Sequence, residues 1–318
     1  MNSGIILIDK PAGISSFQAV SKVRKKAGIK KAGHTGTLDP MATGLLTVCI
    51  GRATRMARFL TDARKTYKGT ITLGLETDTF DAMGKVVAQR VVPALDMVEL
   101  QRAANEFTGR IEQAPPAFSA AKFKGRPLYK LARKGVKVQK EPRQIEVYRF
   151  RIDSYDPPML AFTIDCSKGT YIRSLAHDLG RLLGCGAHLS SLRRTRNGAL
   201  TVDEAVALDD FLSASHTTQI NGWILPVELV LSHIPAIFVD ARQALFIQHG
   251  QGMYLTDALK CLDEQVPEYQ AVKSRYMRIL TRGDNGQTRL VCMARWPVAS
   301  RTVEANDKIE ILRVWNPN

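Results

Sequence analysis

The stretch GHTGTLDPMATGLL at residues 33–46 is the most informative part of this sequence. Glycines flank its His-Thr pair, so the backbone there can turn tightly or approach a ligand closely. Pro40 biases Asp39 towards an extended conformation. The stretch therefore predicts a carboxylate on a stiff dipeptide within a long loop. Such loops are often functional, although an ordinary turn uses the same residue types.

Apolar periodicity on both sides of this loop predicts short strands mixed with helices. Before the loop, it predicts a buried strand at 4–9 and a helix from Ser15 or Ser16 to about residue 27. After the loop, it predicts strands at 45–50, 67–75, 144–155, 159–166 and 188–196, and helices at 53–60, 96–107, 170–183 and 203–212. Because these elements do not follow a strict βαβ order, we expect an α+β fold rather than a doubly wound α/β fold.

The composition of the sequence changes near residues 226–235, after which basic and acidic residues are nearly balanced. Downstream, apolar runs at 276–280, 289–296 and 308–314 predict short strands, and the glycines between them predict turns. This pattern indicates a small, mostly β module. We therefore expect a first domain at residues 1–233 and a second domain at 234–318.

The chain has 318 residues and a formal net charge of +15, which is unevenly distributed. Residues 1–200 hold 34 basic and 16 acidic side chains, whereas residues 201–318 hold 11 basic and 14 acidic ones. The positive excess therefore belongs to the first two-thirds of the chain. It favours an anionic partner there, nucleic acid first. A protein with extra surface lysines is the plainer alternative.

Composition argues against several other classes of protein. A hydrophobic content of 45% is typical of a globular chain rather than a disordered one. No apolar run reaches the roughly 18 residues that a membrane-spanning helix needs. The five scattered cysteines form neither a disulfide framework nor a zinc pattern, which favours a reducing cytoplasm and no metal site.

Residues 118–143 are the most basic segment of the chain. They contain nine Lys or Arg residues and a single acid, Glu141, with three aromatic residues between them. Cations can bind phosphates and aromatic rings can stack on bases, so the segment is typical of a nucleic-acid contact. A solvated helix face is the alternative. The basic residues are Lys122, Lys124, Arg126, Lys130, Arg133, Lys134, Lys137, Lys140 and Arg143.

Seven blocks of this sequence resemble the motifs of the TruB-type tRNA pseudouridine synthases, and they occur in the family's order. One is the loop at 33–46 quoted above. The others are LIDKPAGISS (7–16), KTYKGTITLG (65–74), TDTFDAMG (77–84), SAAKFKGRPLYKLARKG (119–135), CSKGTYIRSLAHDLG (166–180) and GAHLSSLRRTRNG (186–198). Together they extend the resemblance through about residue 200, and the C-terminal module matches least clearly.

The resemblance implies that uridine 55 in the T-loop of tRNA is isomerised to pseudouridine, without a cofactor or a metal. The base detaches from C1′, rotates and rejoins through C5. The family's fold is a mixed or antiparallel sheet with a basic insertion, here at about 112–143, and a small PUA-like C-terminal domain, here 234–318. No extended basic tails flank the blocks, so we expect a stand-alone monomer without an obligate protein partner. Its expected partner is the T-stem-loop of tRNA.

Asp39 matches the family's catalytic carboxylate, which acts near C1′ of a flipped uridine as nucleophile or base. Burial alone would raise its pKa, so an ionised Asp39 needs a cation beside it. Arg173 matches the family's pairing arginine, and a guanidinium can hold a carboxylate through two charge-assisted bonds.

Further matches concern the bound RNA. Tyr67 matches the residue that lies against the target base, while Tyr171 and Leu192 match residues that line the same pocket. His34 matches the residue that fills the space left by the flipped base. From composition alone, Tyr67 and Leu192 are more typical of a core. Lys10 could contact a phosphate, or could keep its charge at the surface beside the Lys-Pro turn.

Two alternatives stay open from the sequence. A non-catalytic tRNA-folding factor could carry the same RNA-binding features, alone or in addition to catalysis. A methyltransferase would need a Gly-rich methyl-donor site, which the sequence lacks. Asp78 and Asp81 do not have calcium-loop spacing, so we expect turn residues that could contact the backbone of the loop at 33–46.

Overall fold

The computed structural model describes residues 3–119, 121–132, 134–136, 138, 140–265, 275–283, 285–296 and 307–315. The strands in chain order are β1 (Gly4–Lys10), β2 (Ala32–His34), β3 (Thr43–Ile50), β4 (Lys65–Leu73), β5 (Leu75–Thr77), β6 (Val86–Gln89), β7 (Gly109–Gln113), β8 (Lys122–Phe123), β9 (Arg126–Pro127), β10 (Arg143–Asp156), β11 (Met159–Cys166), β12 (Ala187–Asn197), β13 (Leu200–Thr201), β14 (Val206–Ala207), β15 (Ala236–Phe238), β16 (Tyr276–Arg282), β17 (Thr288–Arg295) and β18 (Ile311–Val314).

The α-helices in chain order are α1 (Ser16–Lys26), α2 (Ala57–Thr61), α3 (Met97–Asn105), α4 (Leu128–Ala132), α5 (Ile172–Leu182), α6 (Leu208–Ser213), α7 (Thr217–Gly222), α8 (Val227–Val230), α9 (Ala241–Gln248) and α10 (Leu255–Gln265). Two 3₁₀ helices, Gly51–Met56 and Val202–Glu204, precede α2 and β14. None of the helices within the described ranges is long and apolar enough to cross a membrane.

A ten-stranded mixed sheet, counted over the described residues, organises the first two-thirds of the chain. Its order is β14-β1-β3-β12-β4-β11-β10-β7, with β2 paired to β3 and β13 paired to β12. Most neighbouring strands are antiparallel, while β1 with β14 and β3 with β12 are parallel. The predicted α+β fold with a mixed sheet is confirmed.

Both faces of this sheet are covered, which explains why β1 and β3 are apolar over most of their length. In β1, Ile6 and Ile8 pack into one core with residues of α1, α3 and α5. Ile5 and Leu7 point the other way, into a second core with residues of α2 and α8. A strand that is buried on both faces does not alternate between polar and apolar residues. The apolar run at 4–9 is such a strand.

Strands β3 and β12 meet at an unusually close backbone contact. Gly44 pairs with Arg194 across this parallel junction and has a φ of 96°, in the left-handed region. A Cβ on Gly44 would lie 2.3 Å from the carbonyl oxygen of Arg194, so only glycine fits. The end of the loop at 33–46 is thereby held against β12.

The C-terminal part forms a four-stranded sheet in the order β15-β16-β17-β18. Its predicted strands are present, but α9 and α10 also pack on it, so the expectation of a mostly β module was incomplete. The start of α9 carries a capping box of Asp240 and Gln243 that predicts such a helix. Leu280 and Leu290 of this sheet join the second core of the large sheet.

The basic segment lies between β7 and β10 and contains β8, β9 and α4. Leu128 anchors it with a buried side chain, whereas Lys124 and Arg126 are exposed. Arg133 and Lys137, and the side chain of Lys122, lie outside the described residues. The long loop predicted in the stretch 33–46 is shorter than expected, because the end of β2 and the start of β3 fall within that stretch.

Candidate active site

The loop between β2 and β3 is held from both of its sides. On one side, the Leu38 N–H donates to Ser16 Oγ at 2.7 Å, at the start of α1. The Pro40 carbonyl accepts from the Gly13 N–H at 2.9 Å. On the other side, the Thr35 N–H donates to the carbonyl of Thr47 in β3 at 3.2 Å. These bonds fix the short stretch that carries Asp39.

Asp39 and Arg173 form an ion pair, as the sequence predicts. Arg173 Nη2 donates to Asp39 Oδ1 at 3.2 Å. Arg173 Nε lies 2.8 Å from Asp39 Oδ2, but this contact is an ion pair only, because its angles do not allow a hydrogen bond. The Arg173 side chain is buried, whereas the Asp39 side chain keeps 34% of its surface exposed. The carboxylate is therefore held from behind by a fixed cation and remains open in front.

Arg173 lies in the first turn of α5, on the face that packs against the sheet. Besides Asp39, its Nη1 donates to the Thr79 carbonyl at 3.1 Å and its Nη2 to the Phe118 carbonyl at 2.9 Å. Nη1 also lies 3.4 Å from Oδ2 of Asp81. One guanidinium thus joins two other segments of the chain, at residues 79–81 and at Phe118, to the loop of Asp39.

Asp81 is a turn residue, as predicted, and it also has a role that its sequence context does not predict. It is buried and pairs with Arg173, so it supplies the site with a second carboxylate rather than touching the loop's backbone. Its Oδ1 accepts from the Thr79 hydroxyl at 2.6 Å and from the Met83 N–H at 3.0 Å. Asp78 is a turn residue as predicted, since its Oδ1 accepts from the Lys85 N–H at 2.8 Å.

Burial raises the pKa of Asp39 above its ordinary value, and Asp81 adds to this effect. The charge and hydrogen bond of Arg173, and the charge of Lys10, oppose it. The pKa of Asp39 is raised on balance, so the Arg173 cation reduces the rise that burial causes but does not reverse it.

Lys10 is fully buried at the end of β1. Its Nζ donates to the carbonyls of Pro11 at 2.7 Å, Ile14 at 2.8 Å and Pro40 at 3.4 Å. Burial lowers the pKa of this amine to about 8, and the charge of Asp39 partly opposes the shift. The ammonium therefore faces carbonyl oxygens beside the loop of Asp39 and has no exposed surface.

Tyr67 and Leu192 lie on neighbouring strands, β4 and β12, and both are nearly buried in the first core. Burial raises the pKa of Tyr67, and the charge and a side-chain hydrogen bond of Arg194 oppose this. The charge of Asp39 adds to the upward shift of the Tyr67 pKa. Tyr171 is the N-cap residue of α5, and its backbone is held by Gln113 through two hydrogen bonds.

His34 ends β2 and is half-buried. Its Nδ1 accepts from the Gly36 N–H at 3.3 Å, which folds the ring against its own loop. Burial lowers the pKa of His34, and the charge of Arg194 lowers it further. The imidazole is therefore neutral at neutral pH.

A cleft of about 670 Å³ borders this cluster and is lined by Pro40, Thr43, Lys68, Leu192 and Arg193 among others. A second cleft, of about 720 Å³, lies in the C-terminal sheet region and contains none of the predicted site residues. Among the described residues, no group of His, Cys, Asp and Glu side chains is placed to hold a metal ion.

Arg194 is a component of the site that the sequence did not single out. It is buried, and its Nε donates to the Leu45 carbonyl at 2.7 Å while Nη2 donates to the Gly36 carbonyl at 3.1 Å. Neither Arg194 nor Asp81 has a distinctive local pattern. Only their position inside quoted blocks, LSSLRR and TDTFD, could have indicated them.

Comparison with known proteins agrees with this geometry. The family model described as "TruB family pseudouridylate synthase (N terminal domain)" matches residues 24–172, and the "tRNA pseudouridylate synthase B C-terminal domain" model matches 173–232. A tRNA pseudouridine synthase B of Chromohalobacter salexigens is 47% identical over 251 residues, which are 78% of this chain and 80% of that protein. The chain belongs to the TruB family.

Other relatives of this TruB-family chain cover similar ranges. A tRNA pseudouridine synthase B of Burkholderia lata is 43% identical over 274 residues, covering 85% of this chain and 84% of that protein. A chain in the "Crystal Structure of a Cbf5-Nop10-Gar1 Complex" is similar with a TM-score of 0.72 and 25% identity, over 99% of this chain and 85% of that one.

The predicted family and activity are confirmed by these matches. The TruB-family protein is an isomerase that converts uridine in tRNA to pseudouridine. The comparisons do not assign individual site residues, so the roles expected for them stay predictions.

Proposed function

We propose that this enzyme acts on uridine 55 in the T-loop of tRNA, with Asp39 as its catalytic residue. The observation that carries the proposal is the partly exposed carboxylate of Asp39, which is fixed from behind by the buried guanidinium of Arg173. The pair adjoins a cleft bordered by Pro40 and Leu192, which can admit a flipped base. Asp39 acts at C1′ when the base detaches, as nucleophile or as base.

The other site residues bind the flipped uridine in this proposal. Tyr67 lies against the base, and base–aromatic stacking contributes about 1–3 kcal/mol. Tyr171 and Leu192 line the pocket and exclude water. His34, whose ring is neutral and flat, fills the space that the flipped base leaves in the T-loop.

Lys10 supports the site from within. Because its ammonium is buried against three carbonyls, we assign it to holding the Pro40 end of the catalytic loop and not to a phosphate. Its charge also favours the ionised form of Asp39.

The basic insertion at about 112–143 is the proposed grip on the T-stem-loop. Lys124 and Arg126 are exposed at its β8 and β9 hairpin, where they can reach phosphates. We further propose that residues 1–233 form the catalytic domain and that 234–318 form a PUA-like domain that orients the tRNA. The enzyme would act as a monomer in the cytoplasm, without an obligate protein partner or a cofactor.

The decisive experiment incubates unmodified tRNA with the purified protein alone and maps pseudouridine by chemical labelling. The wild type should modify position 55, and Asp39→Asn should abolish the product while tRNA affinity stays within about twofold. Asp203→Asn, at an exposed residue that does not line the cleft, is the matched control. Undiminished product from Asp39→Asn would overturn the assignment, and retained binding without product separates catalysis from a tRNA-folding role.

The grip is tested through the salt dependence of tRNA binding. Lys124→Gln with Arg126→Gln should reduce the slope of log affinity against log salt by about one for each lost phosphate contact. The control pair is Lys260→Gln with Arg313→Gln, two exposed cations of the C-terminal region. An equal effect from both pairs would contradict a specific role for the insertion.

A further inference from the structure

Arg194 is a buried cation without a carboxylate partner. Its exposed surface is 2%, and no acidic oxygen lies within 4 Å of it among the residues described here. Its neighbour Arg193 behaves differently: it is only half-buried and pairs with both oxygens of Asp9. Burying an arginine on carbonyls alone is costly, so its presence calls for a reason beyond packing.

The position of Arg194 in the sheet supplies that reason. In β12, Arg194 pairs with Gly44 of β3 on one side and with Tyr67 of β4 on the other, so the three residues form one row across the sheet. Its guanidinium donates to the Gly36 carbonyl in the loop that carries Asp39. Its charge also lowers the pKa of Tyr67, the residue that it pairs with in register on β4. One side chain thus connects Tyr67 to the catalytic loop.

We propose that Arg194 is a positioning residue that holds the Tyr67 ring in register with the carboxylate of Asp39. The proposal rests on the proposed function, since it needs Tyr67 to contact the base and Asp39 to act on the sugar. If the ring and the loop shifted independently, a base stacked on Tyr67 would present C1′ at the wrong place. A misplacement of about 1 Å can cost about 100-fold in rate.

An arginine suits this task better than a lysine. Its planar fork carries donors that point in fixed, divergent directions, so it can serve the Leu45 and Gly36 carbonyls at once while its charge stays beside Tyr67 on the neighbouring strand. Lys65 shows the contrast nearby, because its buried ammonium serves only carbonyls at 61 and 63 of its own chain segment. The Lys65 ammonium therefore does not connect Tyr67 with the loop of Asp39.

The structure offers a mild perturbation of this link. A Cβ on Gly36 would lie 3.3 Å from Arg194 Nη1, so Gly36→Ala should displace the guanidinium by a few tenths of an ångström. We expect the single-turnover rate to fall roughly 3- to 10-fold with tRNA affinity within about twofold. Gly33→Ala, which meets open space, should leave the thermal midpoint and the Tyr67 titration unchanged. A wild-type rate in Gly36→Ala would overturn the proposal.

The stronger test is a double-mutant cycle of Arg194→Met and Tyr67→Phe, read as single-turnover rates. If Arg194 acts through the Tyr67 hydroxyl, the double variant should be no slower than the slower single variant. Additive losses would contradict the proposal. If Arg194→Met does not fold, the same cycle with Gly36→Ala in its place decides the question.

A spectroscopic readout separates positioning from general destabilisation. The alkaline absorbance difference between each protein and its Tyr67→Phe counterpart isolates the ionisation of Tyr67. Removing the Arg194 cation should move this ionisation to higher pH, because that cation lowers the pKa of Tyr67. An unmoved Tyr67 titration would overturn the link. Activity that persists in Asp39→Asn would instead overturn the proposed function on which this inference rests.

Discussion

Replacement of Arg173 by lysine tests how much of the catalysis depends on the fork geometry of the guanidinium. Arg173 contacts both oxygens of Asp39 and donates to the carbonyls of Thr79 and Phe118. A lysine keeps the positive charge but offers one compact ammonium in place of a planar set of donors. It can reach Asp39 or the two carbonyls, but not all of them. Arg173→Lys therefore changes geometry at constant charge.

The expected magnitude follows from these contacts. Hydrogen bonds that involve a charged group contribute about 1.5–3 kcal/mol each. If the loss of one such bond to Asp39 is felt fully at the reacting carboxylate, the barrier rises by about 2–3 kcal/mol, and the rate falls roughly 30- to 150-fold. Weaker pairing also removes an effect that opposes the rise in the pKa of Asp39. The acid side of the rate profile should therefore move to higher pH.

The assay is single-turnover conversion of tRNA that carries tritium at C5 of uridine, with enzyme in excess. Rejoining through C5 releases the label, so the rate is independent of product release. Arg181→Lys, an exposed residue two turns further along α5, is the matched control and should keep the wild-type rate. A rate for Arg173→Lys within threefold of the wild type, with an unmoved acid limb, would refute the reasoning.

Three further outcomes are expected. In the wild type, the rate should fall with decreasing pH through a pKa above the ordinary range for aspartate, because burial raises the pKa of Asp39; a pH–rate profile that stays flat down to pH 4 would contradict this. Lys10→Met should lower the free energy of unfolding by about 2–4 kcal/mol, since three buried carbonyls lose their donor; urea titration measures it, and a loss below 1 kcal/mol would argue against the assigned role. Phe80 has a φ of 64° and stacks on His177 at 3.9 Å. Phe80→Gly should therefore be more stable than Phe80→Ala by about 1 kcal/mol, and equal urea midpoints would show that the backbone carries no strain there.

Local sequence patterns anticipated much of the fold. Apolar runs predicted β1, α1, β10, β11 and α5 to within about two residues. Such elements depend on side chains close together in the sequence, through capping residues, turn residues and the burial of one helix face. The helices α9 and α10 were missed, because the short strands and glycines around them dominated the pattern of the C-terminal region. The capping box at Asp240 and Gln243 was the available signal.

The candidate site was likewise predicted in part and completed by the structure. The residues of the loop at 33–46, together with Tyr67 and Arg173, could be proposed because they stand in blocks that resemble a known family. The structure brings Asp39 and Arg173 into contact, but it buries Lys10 on carbonyls. It also adds Asp81 and Arg194, which local patterns did not distinguish from a turn residue and a surface cation.

The sequence by itself determined which family the chain resembles, which residues are candidates for the chemistry, and that the positive charge, where an anionic partner is expected, lies in its first two-thirds. Only the tertiary structure decided which charges are paired. Asp39 and Arg173 lie 134 positions apart, and Arg194 meets Tyr67 because β12 lies beside β4. The physical reason is that ion pairing, desolvation and hydrogen bonding depend on distances of a few ångströms between segments remote along the chain. Those distances are set by the order and register of the strands, which short-range periodicity does not encode.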